Sequence, residues 1–206
     1  MAQLFDAAPA NDLPDVPNYN VCPTTSVHAV VQSNGRRLVS MRWGFLPHWY
    51  KTPNDGPLLI NARAETIAEK PAFRVACRER RCVLIATGFY EWTRNGDVRL
   101  PWYITRTDGA PVFFAGIWQE WATDDHRLRT CAIVTTAANA AMSEIHHRMP
   151  VVLTHDTVGF WLGEQGKGAA QLMKAAPEDA LEWHRVDKQV NSNKAKGPTL
   201  IEKIEG

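Results

Sequence analysis

The stretch Cys82–Trp92, CVLIATGFYEW, contains the features from which the fold can be predicted. Its first five residues are apolar or small, which is typical of a strand buried on both faces, and Gly88 permits a bend. Glu91 then lies between two aromatic residues, Tyr90 and Trp92. Burial against aromatic rings raises the pKa of a carboxyl group toward neutrality, where it can act as a general acid or base. The alternative is that Glu91 points outward and is an ordinary solvated strand residue.

Turn signals divide the chain around this stretch into short strands. Ser26–Gln32 and Arg37–Trp43 are rich in β-forming residues and flank Asn34-Gly35, a type I′ turn signal, so they predict a hairpin. Asn95-Gly96 and Asp108-Gly109 predict two further turns between apolar runs. The sequence therefore predicts a meander of antiparallel strands.

Helical segments are few and short. They are predicted from Ala137 to Ile145, from an N-cap at Thr154 to Leu162, and from Lys167 to Ala175. We therefore expect an α+β fold, a mostly antiparallel sheet curled into a barrel-like core with a few short helices. Because nothing in the sequence resembles a linker, we expect a single domain over residues 1–206.

Composition restricts the class of partner. Lys plus Arg (23) nearly balances Asp plus Glu (22), so any site for a polyanion must be a local basic patch. No apolar run of about eighteen residues occurs, and we expect a cytoplasmic protein, monomeric and without a membrane partner. The four cysteines form no C-x-x-C pair, so we expect structural thiols, with no disulfide framework, metal site or cofactor. They are Cys22, Cys77, Cys82 and Cys131.

Several polar residues at strand ends, or in the loops that follow strands, could form one site. A histidine titrates near neutrality, so a histidine beside a glutamate of raised pKa is a workable acid–base couple. Arginine offers planar, bidentate donors for phosphate. The candidates are Glu91, His146 or His147, Arg148, Asn61 and Arg63, the last two projecting to one side of an extended strand. The structural alternative for the two histidines is that one donates to a backbone carbonyl and the other is exposed.

The segment Arg42–Lys51 interleaves basic and aromatic residues without periodicity. This composition suits a loop on which unpaired bases stack while cations hold phosphates. An aromatic corner that closes a barrel end is the alternative.

Five motifs in this order resemble those of the SRAP family, the SOS-response-associated peptidase-like proteins that recognise and crosslink abasic sites in single-stranded DNA. They are Asn20–Pro23 (NVCP), Trp43–Phe45 (WGF), Ile60–Thr66 (INARAET), Gly88–Trp92 (GFYEW) and Ile145–Pro150 (IHHRMP). The resemblance spans residues 18–190 and implies single-stranded DNA with abasic sites as the partner. A DNA-bound form would then be associated with the nucleoid.

The resemblance also implies a mechanism. In the family, a cysteine directly after the initiator Met attacks the ring-opened abasic sugar through its α-amine, and its thiol closes the imine into a thiazolidine. By resemblance, Glu91 is the general acid/base, His146 assists proton transfer, and Asn61 orients the N-terminal residue. Arg63 and Arg148 are implied to grip flanking phosphates. The residues implied to stack or to line the site are Trp49, Tyr50, Pro23, Asn20 and Thr135.

The sequence departs from the family pattern at its first residues. It begins Met1-Ala2-Gln3, with no cysteine at position 2, and Cys22 offers no free α-amine. We therefore expect the nucleophile and the first strand to be missing upstream of Met1. The chain as written is expected to bind DNA without stable crosslinking. Two alternatives are a non-catalytic single-stranded-DNA-binding module and a peptidase that processes its own N-terminus.

Overall fold

Short strands make up most of the secondary structure in the computed structural model, which describes residues 1–205. The strands are β1 (Ala8–Pro9), β2 (Ser26–Gln32), β3 (Arg36–Trp43), β4 (Asn61–Arg63), β5 (Arg81–Ala86), β6 (Phe89–Asn95), β7 (Val98–Arg106), β8 (Val112–Ala122), β9 (Arg127–Ala137), β10 (Arg148–Pro150), β11 (Val152–Leu153) and β12 (Leu181–Arg185). The helices are α1 (Arg74–Glu79), α2 (Ala140–Ser143) and α3 (His155–Leu162). Single turns of 3₁₀ helix occur at Gln3–Phe5, Ala169–Leu172, Lys188–Asn191 and Pro198–Ile201. This composition confirms the α+β prediction.

The predicted hairpin around Asn34-Gly35 is confirmed. Strands β2 and β3 are antiparallel from Ser26 opposite Arg42 to Gln32 opposite Arg36. Asn34 and Gly35 both have positive φ, at 49° and 100°. Because Gln32 pairs with Arg36, the loop has three residues, Ser33 to Gly35, rather than the two of the predicted type I′ turn. This hairpin supplies two adjacent strands of the main sheet.

Five strands close into a barrel, as predicted. β3 pairs with β2, β2 with β5, β5 with β8 and β8 with β9, all antiparallel. The ring closes because β9 also pairs in parallel with β3, with Arg42 opposite Thr130 and Trp43 opposite Cys131. Alternate residues of these strands fill the interior. The interior cluster contains Ala29, Val31, Val39, Met41, Cys82, Leu84, Val112, Phe114 and Cys131.

The intervening strand residues point outward and are covered by helices. Val30, Leu38 and Val83 belong to a second buried cluster that also contains residues of α1, α3 and the N-terminal segment. The Trp161 indole in α3 donates to the carbonyl of Cys82 in β5 at 2.8 Å, which fixes the helix on the barrel wall. As predicted, Thr154 is the N-cap of α3, where it forms a capping box with Thr157.

The second half of β9 has different neighbours. β4 runs parallel to it, with Asn61 opposite Ile133 and Arg63 opposite Thr135. On its other edge β10 runs antiparallel, with Arg148 opposite Ala137. β9 therefore closes the barrel with its first half, and its second half holds the two strands that contain Asn61, Arg63 and Arg148.

A separate three-stranded sheet, in the order β12-β7-β6, contains Glu91. The stretch Cys82–Trp92 is therefore two strands in two sheets, separated by a bend at Thr87 and Gly88, rather than one strand running into Glu91. At Gly88 a Cβ would lie 2.5 Å from Tyr103 Cζ and 2.6 Å from the Ile104 carbonyl oxygen. The chain can pass this close to β7 only because residue 88 lacks a side chain.

Two predicted helices are shorter in the structure. The segment Lys167–Ala175 contains only the 3₁₀ turn Ala169–Leu172. The predicted helix Ala137–Ile145 is reduced to α2, because β9 continues through Ala137 and pairs there with β10. Within residues 1–205 no helix is long and apolar enough to cross a membrane.

The Gly88→Ala substitution is expected to destabilise the protein by roughly 1–3 kcal/mol, because the new methyl group overlaps a backbone oxygen that cannot rotate away. Urea unfolding followed by circular dichroism measures the change. Gly168→Ala is the control, since its Cβ would meet Phe160 at an ordinary 3.5 Å. Equal unfolding midpoints for the two variants would contradict this account of the bend.

Candidate functional site

Glu91 and His146 lie together, although they are far apart in the sequence. The Nδ1 atom of His146 is 3.9 Å from the Oε1 atom of Glu91. Glu91 lies in the middle of β6, and His146 follows α2 in the turn that leads to β10. Their side chains are 24 % and 35 % exposed, so the pair is partly shielded from water and still reachable. The structure therefore brings together the two side chains that the sequence analysis considered as a candidate acid–base couple.

Burial raises the pKa of the Glu91 carboxyl above its ordinary value. The nearby His146 and a backbone hydrogen bond at Trp92 act in the opposite direction and lower the pKa. The net pKa shift is upward, because the free-energy cost of removing the carboxylate from water exceeds the stabilisation that these partners provide. A carboxyl group of raised pKa can hold a proton at higher pH and can donate it during a reaction.

The aromatic surroundings of Glu91 differ from the sequence prediction. Tyr90 and Trp92 point to the opposite face of the sheet, where Tyr90 donates to the carbonyl of Tyr19 and Trp92 donates to Asn191. Neighbouring strand residues alternate between faces, so neither ring could lie beside Glu91. The aromatic residue directly opposite Glu91, and on its own face, is Trp102 of β7.

The peptide group of Arg148 holds the His146 ring in place. His146 Nδ1 lies 2.9 Å from the Arg148 carbonyl oxygen and 3.2 Å from the Arg148 nitrogen. A protonated Nδ1 can donate to the carbonyl, and an unprotonated Nδ1 can accept from the N–H. The ring therefore has a partner in both states. His147 is exposed, with its ring centroid 4.4 Å from that of His146.

Asn61 and Arg63 are exposed at the two ends of β4, and their spacing places both on one face, as predicted. Their partners on β9, Ile133 and Thr135, follow Cys131 at alternate positions, so this face continues the barrel interior. Within the described chain neither side chain makes a hydrogen bond or an ion pair. The Arg63 guanidinium is therefore a free positive charge at this end of the barrel.

The Arg148 guanidinium, in contrast, is engaged. It makes a bidentate pair with Glu65, at 2.8 and 2.9 Å, and also donates to the carbonyl of Thr135 at 2.8 Å. The pairing lowers the pKa of Glu65 to about 2. Glu65 was not singled out from the sequence, although it belongs to the Ile60–Thr66 motif. Its partner is 83 residues away, and only the tertiary structure identifies it.

The aromatic loop combines features of both alternatives that the sequence left open. Trp49 is 48 % exposed, whereas Tyr50 is buried and contacts Leu46 and Trp121 as an aromatic corner would. The Trp121 indole donates to the Tyr50 carbonyl at 2.8 Å. The rings that this loop presents to solvent are therefore those of Trp49 and the neighbouring His48.

The remaining candidates are more peripheral or less accessible. Asn20 uses its amide to donate to the carbonyls of Ser192 and Ala195, at 3.0 and 3.1 Å. Pro23 is half-buried in the turn before β2, and Thr135 is buried. Within residues 1–205 no group of three or more His, Cys, Asp and Glu side chains is placed to hold a metal ion.

Comparison with known proteins identifies the family. The model of the family described as "SOS response associated peptidase (SRAP)" matches residues 1–193 of this chain. The chain belongs to the SRAP family. This assignment confirms the resemblance inferred from the five sequence motifs.

Two relatives illustrate the range of SRAP similarity. "Abasic site processing protein YoaM" of Bacillus subtilis is 39 % identical over 192 residues, covering 90 % of this chain and 85 % of the relative. "Abasic site processing protein YedK" of Escherichia coli is 32 % identical over 191 residues, covering 90 % and 84 %. A crystal structure of a protein from Bacteroides thetaiotaomicron superposes with a TM-score of 0.79 at 27 % identity, covering 88 % of this chain and 82 % of that one.

Removal of the Glu65 charge by Glu65→Gln is expected to reduce the acid sensitivity of folding. The folded-state pKa of Glu65 is below its ordinary 4.5, so its stabilising effect is present above that value and is lost as the pH falls toward about 2. Because the carboxylate is 47 % exposed, solvent screening limits the effect to about 1 kcal/mol or less. Urea midpoints between pH 5 and pH 2 measure it.

The matched control is Glu69→Gln, which removes an exposed carboxylate that forms no ion pair within residues 1–205. Its pH dependence should follow that of the unmodified chain. If the two variants have the same profile, the ion pair between Glu65 and Arg148 contributes nothing to folding.

Proposed function

We propose that this chain processes abasic sites in single-stranded DNA by covalent capture of the ring-opened sugar, with Glu91 and His146 as the proton-transfer couple. The observation that carries the proposal is their 3.9 Å contact. Asn61 and Arg63 are exposed on β4, which pairs with β9, the strand that also pairs with β10, which follows His146 in the chain. Similarity to abasic site processing proteins supports the choice of substrate. The enzyme would therefore act on a damaged strand rather than on a peptide.

Imine formation requires proton transfers that this couple can supply. The amine adds to the aldehyde carbon of the abasic sugar, and the resulting carbinolamine loses water to give the imine. Protonated Glu91 would donate to the departing hydroxyl, and its carboxylate with His146 would then accept the proton that the nitrogen releases. Protons balance over the step, since amine plus aldehyde gives imine plus water.

The identity of the amine decides the final product. An α-amine has an ordinary pKa of roughly 7.7–8.0, so a useful fraction is unprotonated near neutrality. With a cysteine, the thiol adds to the imine carbon, its proton passes to the nitrogen, and a thiazolidine ring results. In this sequence Ala2, and not a cysteine, directly follows Met1. With Met1 removed, the α-amine of Ala2 would give only a reversible imine, since alanine has no thiol to close the ring.

The other candidates would hold the strand and the site. Arg63 would bind a phosphate, because its guanidinium has no partner among the described residues. Trp49 would stack on a base that flanks the lesion. Because the Arg148 guanidinium is engaged with Glu65, we assign Arg148 chiefly to positioning His146, and its phosphate contact stays a prediction. Asn61 would orient the attacking amine.

The test compares the chain as written with a version extended at its N-terminus to begin Met-Cys-Gly-Arg, each incubated with single-stranded DNA that carries one abasic site. Only the extended version should give a heat-stable adduct without a reductant. Glu91→Gln in that version should slow adduct formation roughly 10²–10⁴-fold and leave DNA affinity nearly unchanged. Denaturing gels follow the adduct, and fluorescence anisotropy measures binding.

A heat-stable adduct of the chain as written would contradict the need for an aminothiol. If neither protein forms an adduct while both bind the DNA, covalent capture is wrong and the site is a recognition groove. If Glu91→Gln weakens DNA binding as much as it slows adduct formation, Glu91 is not the acid–base group.

Arg63→Ala is expected to weaken binding to abasic single-stranded DNA and to flatten its dependence on salt. One lost phosphate contact lowers the slope of log affinity against log salt by about 0.7 for a single strand. Arg78→Ala is the control, since Arg78 is an exposed arginine on α1, a helix packed against the outer wall of the barrel. An unchanged slope for Arg63→Ala would show that Arg63 contacts no phosphate.

A further inference from the structure

A row of three side chains crosses the smaller sheet on the face that carries Glu91. Glu91 of β6 lies directly opposite Trp102 of β7, and Trp102 lies directly opposite Arg185 of β12. Residues that face each other in antiparallel strands point to the same side, with strands about 5 Å apart. Trp102 is therefore the nearest cross-strand neighbour of the proposed catalytic carboxyl group.

Two contacts fix the orientation of Trp102. Its indole N–H donates to the Thr93 hydroxyl at 3.0 Å, and Thr93 is on the same face as Glu91, two residues further along β6. The Arg185 guanidinium carbon lies 5.2 Å from the centre of the Trp102 ring, within the range of a cation–π contact. The ring is half-buried and belongs to none of the five buried clusters of residues 1–205. Trp102 is thus held at the surface rather than packed in the core.

Arg185 also has unused binding capacity. Its Nε donates to the Pro101 carbonyl at 3.3 Å, and within the described residues its two terminal nitrogens have no acceptor and it has no carboxylate partner. An aromatic ring next to an unpaired guanidinium is the combination with which proteins bind single-stranded nucleic acid, the ring stacking on a base and the cation holding phosphate.

We propose that Trp102 and Arg185 form a nucleotide subsite that takes the base next to the abasic sugar, with Trp102 stacking on that base and Arg185 binding its phosphate. This inference rests on the proposed function, because the abasic sugar is placed at Glu91. It adds a specificity element: the subsite requires an intact base beside the lesion. A run of consecutive abasic sugars is therefore a poor substrate.

The test measures binding of the chain as written to a short single strand with a central tetrahydrofuran residue, an abasic analogue that has no aldehyde and cannot react. Two further strands carry the same analogue. One of them also lacks the base on the 5′ side of the analogue, and the other lacks the base on its 3′ side. Trp102→Leu should weaken binding to the first strand about 5- to 150-fold, the range for one lost base–aromatic stack. On one of the two further strands, the variant and the unmodified chain should bind equally.

Three controls separate stacking from a structural effect. Trp102→Phe retains a ring and should retain most of the affinity. Arg185→Gln should lower the salt slope by about 0.7, whereas Arg185→Lys should not. Urea midpoints show whether each variant is folded. If Trp102→Leu does not fold, Trp102→Phe is compared with the unmodified chain on the same three strands. Any difference in their affinities should then disappear on one of the two strands that lack a neighbouring base.

The outcomes distinguish this inference from the proposal on which it rests. If the unmodified chain binds the tetrahydrofuran strand no better than an intact strand, abasic recognition fails, and the subsite fails with it. If recognition holds but Trp102→Leu is neutral, or weakens binding to all three strands equally, the subsite alone is wrong.

Discussion

The pairing of β9 along both of its edges is the constraint on which the rest of the structure depends. Its first half closes the barrel against β8 and β3, and its second half lies between β4 and β10. Asn61 and Arg63 are therefore positioned by backbone hydrogen bonds to β9 rather than by a loop. Side chains on such strands are held more precisely than side chains on loops, and the proposed covalent step would need this precision.

Arg148 connects the strands on β9 to His146, the histidine of the proposed acid–base couple. The Arg148 guanidinium joins β10 to the turn after β4 and to Thr135 of β9, while its peptide group contacts the His146 ring. A half-exposed ion pair contributes little to folding free energy. Its main effect here is geometric, because one residue fixes both the position of a strand and the orientation of a histidine.

The barrel and its hairpins could be predicted from the sequence, whereas the register between paired strands could not. A two-residue turn formed by Asn95-Gly96 would put Leu100 opposite Glu91. The structure pairs Asn95 with Val98, so the turn is centred one residue later and Trp102 is opposite Glu91 instead. A shift of one residue in the turn therefore changes which residue of β7 lies opposite Glu91. The pairing of Glu65 with Arg148 could not be predicted at all, since no local pattern links residues so far apart.

Partial burial of Glu91 is a compromise between two requirements of the proposed chemistry. Full burial would raise its pKa further and would also exclude the sugar, whereas full exposure would leave an ordinary carboxylate that is deprotonated at neutral pH. The Trp102–Arg185 pair bears on this balance. A base stacked on Trp102 would remove water from the neighbouring carboxyl group, and the phosphates would add negative charge near it. Both effects favour the protonated form of Glu91. Binding of the nucleotide next to the lesion at Trp102 and Arg185 would therefore help to keep Glu91 protonated for the proposed capture step.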